Sequence, residues 1–507
     1  MRSLYPTDWS SEYRDHLLNR AGFGISLKTN IPKDSQGPQG WVERLLDVPP
    51  SLSEDEMPPW TREPTPDLAD FRRIRQMSEE ERQRERRRII RKSRQNLQST
   101  QSWWLERMQK TPHPLQEKMT LFWHGHFVSS DAKVRSALCL WNQNQLFRSQ
   151  GLGSFEDLTI AIGRDPAMLL YLDGSGSTKK APNENYAREL MELFTLGEGH
   201  YTEDDIRAAA RAFTGWRARR FNATADFSKV DFDSEEKHFF GKSGNFNDKD
   251  IVKLILSKDQ AARYLVTKLW TYFAYAQPET EIVDALAATL KRNNFLIKPV
   301  LRELFLAEPF YSRKALRTQI KSPVVWLVGL ADLLDFNPFP YALGDRISTL
   351  LGQELFNPPS VKGWDGGRTW VSTSTLILRN NLASMLLLGG QPGEIGLGMR
   401  GIDDLPPAVL EAMPDEMKKR LAQRRQSAAN RTVPSLLYNE SLTRAWKEAE
   451  PNSRFSLLAR TCFRGPVSPA SLDSLAQNCQ SALHDGSSSA LRQTLKTFTT
   501  HPEYQLI

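Results

Sequence analysis

The sequence predicts a mainly α protein, a multi-helix globular chain with a small β-hairpin insertion and a C-terminal helical unit. Three observations carry that expectation. Apolar residues recur at helical spacing through most of the 507 residues. Ser, Thr, Asn or Asp precede many of those runs and Gly or Pro follows them, as helix ends require. Only residues 217–247 change character, where FNATADFSKVDFDSEEKHFFGKSGNF is short, alternating and turn-rich, as in a small hairpin.

Composition bounds the rest. At 39% hydrophobic residues the chain is long enough for two or three lobes. No run reaches the apolar length that crosses a bilayer, so membrane insertion is not expected. MRSLYPTDWSSEYRDHLL has no apolar h-region, so the expected location is cytoplasmic, with export in company of a partner as the alternative. Cys139, Cys462 and Cys479 are too far apart for a metal-ligand spacing and too few for a disulfide framework. A net charge of +7 permits an anionic partner without demanding one.

In chain order, residues 1–67 read as N-terminal helices, one including LLNRAGFG and one spanning Trp41 to Leu46, then an irregular Pro- and acid-rich linker. Residues 68–390 form the helical core. It opens with one long charged helix from Leu68 to about Lys110, whose run RQRERRRIIRKSRQ is matched by Glu79, Glu80, Glu81 and Glu85 as a solvated face. Pro114 starts the helix PLQEKMTLFWHGHFV, because proline at the first position costs no hydrogen bond. Helices follow from Ser136 to Arg148, Ser154 to Gly163 and Ala167 to Leu172. Asn183 to Trp216 is the most ordered pattern: two helices, capped by Asn183 and Thr202, around a turn containing Gly197 and Gly199. After the hairpin, helices resume at Asp248 and run, with a Gly/Pro loop from Gly352 to Arg368, to Leu388. Residues 391–507 are a C-terminal helical region with helices around Pro414 to Asn430 and Pro434 to Ala449. Its end repeats the rhythm of residues 259–312, three helices closing on a Pro-aromatic turn.

Chemistry concentrates in three places. His124 and His126 flank Gly125 in FWHGHF; a helix break at Gly125 would let both converge on a zinc, manganese or iron ion. Glu184, Glu189 and Glu192, with Arg188, line the polar face of the central helix and are the carboxylates such a site would borrow. The same Glu184, Arg188 and Glu192 at i, i+4 and i+8 equally make a ladder of surface ion pairs. Asp165 either joins the acidic cluster or starts a helix at its Asp-Pro step, and His200 and His238 are further ligand candidates. In PPSVKGWDGGRTW, Trp364, Arg368 and Trp370 offer stacking faces suited to a polysaccharide, unless the tryptophans plug the core. No GxSxG, HExxH or Cys-His signature narrows a catalytic class, and no nucleic-acid-binding signature is present.

PNENYARELMELFTLGEGHYTEDDIRAAARAFTGW resembles the signature of a bacterial family known as domain of unknown function 1800. LLNRAGFG, FWHGHF, DPAMLLYLDG, IKSPVVWLVG and LGQELFNPPSVKGWDGGRTWVSTSTLILRNNLA match its other blocks in order. The resemblance implies no activity. Many members carry His where this chain has Phe194, so a metal site needing that position would be lost here. The resemblance also implies a partner, because members are commonly encoded beside an exported sulfatase- or phosphatase-like protein bearing a twin-arginine signal. Two functions are therefore carried forward: a helical binding or accessory protein for such a partner, or a metal-dependent hydrolase acting on a polymer such as polysaccharide.

Overall fold

Helices make nearly all of the regular structure, as the sequence predicts. The computed structural model describes residues 1–24, 37–65, 68–335, 347–389, 437 and 439–507. The expected helix from Pro414 to Asn430 lies outside them. Described residues up to 318, joined by 347–365, form one compact unit; 319–335, 366–389, 437 and 439–507 belong to a second. Among the described residues no helix is long and apolar enough to cross a membrane.

The first unit begins with α1 (Ser11–Ala21), capped by Ser10, and α2 (Gly37–Leu46). The long charged helix is in fact two, α3 (Leu68–Gln76) and α4 (Glu79–Lys110). Ser78 interrupts it: its hydroxyl accepts the Glu81 N–H while the Glu81 carboxylate accepts the Ser78 N–H, a capping box that starts a fresh helix. Three of the four acids assigned to the charged run pair along α4, Glu79 with Arg82, Glu80 with Arg84 and Glu85 with Arg88, while Glu81 is taken up by the Ser78 cap. Next come α5 (Pro114–His126), α6 (Asp131–Val134), α7 (Ala137–Gln150), α8 (Phe155–Gly163) and α9 (Pro166–Tyr171).

The central stretch begins as α10 (Glu184–Glu189), continues as a π-helix over Leu190–Thr195, and after the glycine turn gives α11 (Glu203–Ala212). The insertion contains two hairpins where one was expected: β1 (Trp216–Arg219) pairs with β2 (Thr224–Phe227), and β3 (Lys237–Phe239) with β4 (Lys242–Gly244). The helices α12 (Asp248–Leu256), α13 (Asp259–Phe273), α14 (Thr280–Arg292) and α15 (Ile297–Leu306) complete the unit, ending in a 3-10 turn at Glu308–Tyr311.

The second unit holds α16 (Pro323–Leu334), α17 (Thr373–Leu388) and α18 (Glu440–Glu448). It closes with α19 (Pro451–Phe463), α20 (Pro469–His484), α21 (Ser488–Thr500) and a 3-10 turn at Pro502–Gln505. That order, three helices and a 3-10 turn opening on proline or one residue before it, is also the order of α13 to α15 and Glu308–Tyr311.

One buried ionic cluster ties α4, α5 and α7 together. Glu117 has no solvent exposure. Its Oε1 accepts from Arg107 Nε (2.5 Å) and Arg148 Nε (2.8 Å), and its Oε2 from Arg148 Nη2 and Trp104 Nε1, both at 2.8 Å. Burial pushes its carboxyl up, but Arg148 and Arg107 together outweigh that and hold it below the usual range. Glu117→Gln would leave two buried guanidinium groups facing a neutral amide. The expected loss is about 3–5 kcal/mol of unfolding free energy, measured by urea denaturation. A loss below about 1 kcal/mol would mean that water or a neighbour compensates the arginines.

Candidate functional site

The α5 helix carries FWHGHF to its end without breaking at Gly125, so the two histidines leave it in different directions. His124 is 1% exposed and sits among Trp104, Phe356 and Trp364, with ring centroids 5.2–5.6 Å away. Its Nε2 accepts the Phe356 N–H at 2.9 Å, and burial lowers its pKa to about 3. The loop supplying Phe356 is tied down by Gln101 to the Leu355 carbonyl, by the Asp131 N–H to the Phe356 carbonyl, and by Ser130 to Asn357. Close approach explains one of the glycines: Gly363 has a φ of +80°, and a Cβ there would stand 2.5 Å from the Gly125 carbonyl oxygen.

His126 faces the π-helix. A π-turn shifts the hydrogen-bond register by one residue, and like any helix it leaves its last carbonyls without intrahelical donors. Leu196 N–H bonds the Met191 carbonyl five residues back, and the open carbonyls at this helix end find side chains. The Phe194 carbonyl accepts from His126 Nε2 at 3.0 Å. The Leu193 carbonyl accepts from Tyr264 Oη at 2.7 Å and Lys268 Nζ at 2.9 Å, and the Leu196 carbonyl from Gln260 Nε2 at 3.0 Å. With Nε2 donating, the His126 Nδ1 is the acceptor, and it lies 3.4 Å from Lys268 Nζ. Burial, and then the Lys268 charge, hold His126 well below its ordinary pKa; burial lowers Lys268 to about 8.

The carboxylates lie on the other side of that helix. Glu184, Arg188, Glu189 and Glu192 are all partly exposed. Arg188 makes a two-pronged pair with Glu203 at 2.7 and 2.8 Å and a longer contact to Glu184 at 3.5 Å. Glu192 accepts from Tyr201 Oη, and Glu189 is raised by burial and then by Glu192. Among the described residues, no three His, Cys, Asp or Glu are placed to hold a metal ion. The histidines meet the backbone of the central helix rather than its acids.

The remaining candidates are dispersed. Asp165 caps α9, accepting from the Met168 N–H (2.9 Å) and from Gln143 Nε2 (2.7 Å), and burial raises it to about 7. His200 is exposed, and His238, also exposed, pairs with Ser243 on its own hairpin. Trp364 is half-buried in the first unit, whereas Arg368 is exposed and Trp370 buried in the second. The three cysteines are free and buried.

The profile of a family described as "Protein of unknown function (DUF1800)" matches residues 16–506. The chain belongs to that family. No curated protein and no solved structure matches it. Two of the blocks that resemble the family's pattern hold defined geometry: FWHGHF meets the Phe356 loop, and ELFTLG overlaps the π-helix at its C-terminal end.

Sequence reasoning missed two features. Gln260, Tyr264, Lys268 and Tyr272 recur every four residues along α13, and each donates to a backbone carbonyl. A cleft of about 1140 Å³ in the first unit is lined by Tyr13, Tyr275, Glu279, Tyr311 and Lys314 among others. Nothing in the local pattern marks it, because its walls come from distant segments.

Asp165 gives a pH test. Its folded pKa lies above its unfolded value, so between about pH 4 and 7 the native state holds a proton that the unfolded chain releases, and stability falls as pH rises. Asp165→Asn keeps the cap acceptor and cannot ionise. Its stability relative to the parent should rise across that window, by on the order of 4 kcal/mol at most. A difference that stays flat from pH 4 to 8 in thermal melts would place the Asp165 pKa in the ordinary range.

Proposed function

We propose that the protein works as a binding or accessory protein for an exported sulfatase- or phosphatase-like partner, not as a metal-dependent hydrolase. The observation carrying this reading is the use of the histidines. His124 Nε2 and both nitrogens of His126 are engaged with backbone groups or Lys268, and the acids of the central helix face away from them. A hydrolase built on these residues would have to break those bonds and leave the Phe194 carbonyl and the Phe356 N–H without their partners. A scaffold needs them as they are.

The surface that supports partner binding is the exposed part of α4. Residues 79–96 of that helix are exposed or only partly covered. Arg86, Arg91 and Arg94 are exposed and form no ion pair among the described residues, unlike Arg82, Arg84, Arg88 and Lys92. The partner face that fits is acidic, and such contacts mainly accelerate association and weaken with salt.

Two measurements test the reading together. Protein purified without a histidine tag should contain no stoichiometric zinc, manganese or iron, by elemental analysis, after exposure to each. Co-purification with the sulfatase- or phosphatase-like protein should weaken in high salt and drop at least tenfold for the triple variant Arg86→Glu, Arg91→Glu, Arg94→Glu. One equivalent of metal, lost in His124→Ala/His126→Ala with the fold intact, would overturn the reading in favour of a hydrolase. Partner binding untouched by the triple variant would remove α4 as the surface.

A further inference from the structure

The chain's excess charge is not spread over its surface. Residues 82–94 of α4 contain seven arginines, one lysine and one glutamate, a net charge of +7, which is also the net charge of the whole chain. Outside that run, basic and acidic residues balance. The run is also ordered around the helix. Its covered or partly covered positions, Arg82, Glu85, Ile89 and Ser93, followed by Leu97, recur every three or four residues along one side. Arg84, Arg87, Arg91 and Arg94 recur at steps of three, four and three residues on the opposite side, within about 80° of arc, and all four are exposed. Arg87, Arg91 and Arg94 form no ion pair among the described residues. Arg84 reaches Glu80 only at 3.5 Å, with both side chains more than three-quarters exposed, a contact worth little in water.

A solvated helix face does not need this order. Where α4 neutralises its own arginines, it does so with acids one turn away: Arg88 forks onto Glu85 at 2.7 and 2.6 Å, and Arg82 pairs with Glu79. Three and four residues either side of Arg87, Arg91 and Arg94 stand only Arg, Gln, Ile and Leu, so neighbouring guanidinium groups repel one another along the row. Ile90, 52% exposed, lies three residues after Arg87 and four before Arg94, and borders the row with an apolar side chain. The pitch of the row selects the shape of its counterpart. Its three steps cover about 15 Å, whereas three same-face steps along a strand cover about 20 Å. The acids of a strand therefore run out of step, while those of a second helix keep pace turn by turn. No aromatic residue stands among residues 79–96 on which a nucleic-acid base would stack. Carboxylates match the planar fork of a guanidinium, as Glu85 does for Arg88.

We propose that Arg84, Arg87, Arg91 and Arg94 dock an acidic helix of a partner protein, lying along α4 with Glu or Asp at three- and four-residue spacing. The proposal rests on the reading of the protein as a partner-binding chain and adds the shape and charge pattern of what it binds. Carboxylates of the partner helix meet the guanidinium groups turn by turn and end the repulsion along the row. Ile90 gives the seam an apolar contact. Pairing of this exposed kind sets orientation and association rate more than affinity.

Fluorescence anisotropy with the full chain and two labelled peptides tests this at low salt. Both peptides are helical, built on alanine and glutamine, and carry the same number of glutamates. One has them along a single face at three- and four-residue spacing; the other has them spread around the helix. The striped peptide should bind about fivefold tighter than the spread one, and weaken as salt is added. Arg84→Gln/Arg91→Gln removes two charges from the row and should weaken the striped peptide about fivefold. Arg86→Gln/Arg88→Gln removes the same charge from outside the row and should weaken it less than about twofold. Both variants should melt with the parent, since all four side chains are exposed. Equal binding of the two peptides, or equal loss in the two variants, would overturn the proposal by reducing the row to unpatterned positive charge. Binding to phosphatidylglycerol vesicles that saturating striped peptide leaves untouched would overturn it in favour of a flat anionic surface. Peptide discrimination without co-purification of the sulfatase- or phosphatase-like protein would uphold the acidic-helix site and remove that partner. Co-purification without peptide discrimination would keep the partner and overturn the site.

Discussion

Glu117 is the constraint on which the first unit turns. A carboxylate with no exposure, held by Arg107 from α4, Arg148 from α7 and the Trp104 indole, can exist only if three helices arrive in one register. Hydrophobic packing alone tolerates sliding, because apolar contacts carry little direction. A buried fork of charge-assisted hydrogen bonds does not. It orients α5, and α5 then presents His124 to the Phe356 loop and His126 to the π-helix. The Arg148 guanidinium also lies 5.1 Å from the Trp103 ring centroid, and Arg107 reaches Glu56, so the N-terminal segment is held to the same point.

The π-helix shows a second level of dependence. Its C-terminal end leaves carbonyls facing the interior, where each needs a donor. The supply comes from α13 and α5 as side chains, Gln260, Tyr264, Lys268 and His126, rather than from the helix itself. The central stretch buries Tyr186, Ala187, Leu190, Met191 and Phe194 on its inner face and leaves Glu184, Arg188, Glu189 and Glu192 partly exposed on the outer one. That separation is why histidines and acids adjacent in argument are not adjacent in space.

Much of the helical order was legible. Caps such as Asn183 and Thr202, the proline starts at Pro114 and Pro166 and the alternation after Trp216 act over three or four residues, so they can be read from a string. The Ser78–Glu81 capping box was equally local, but the continuous charge pattern around it hid the break between α3 and α4. The π-turn left no such mark. LMELFT has the composition of an ordinary helix, and only the donors waiting on α13 make the wider turn affordable.

What the sequence by itself determined is the mainly α architecture, the element types and their order, and membership of the family, because periodicity, caps and motif blocks are short-range properties. Tertiary structure alone decided which polar residues meet. Glu117 finds Arg107 and Arg148, His126 finds the Phe194 carbonyl, and Arg20 finds the Ala315 carbonyl, across distances of chain that no local pattern encodes. The physical reason is that a buried charge is defined by what surrounds it, and those surroundings exist only once the helices have packed.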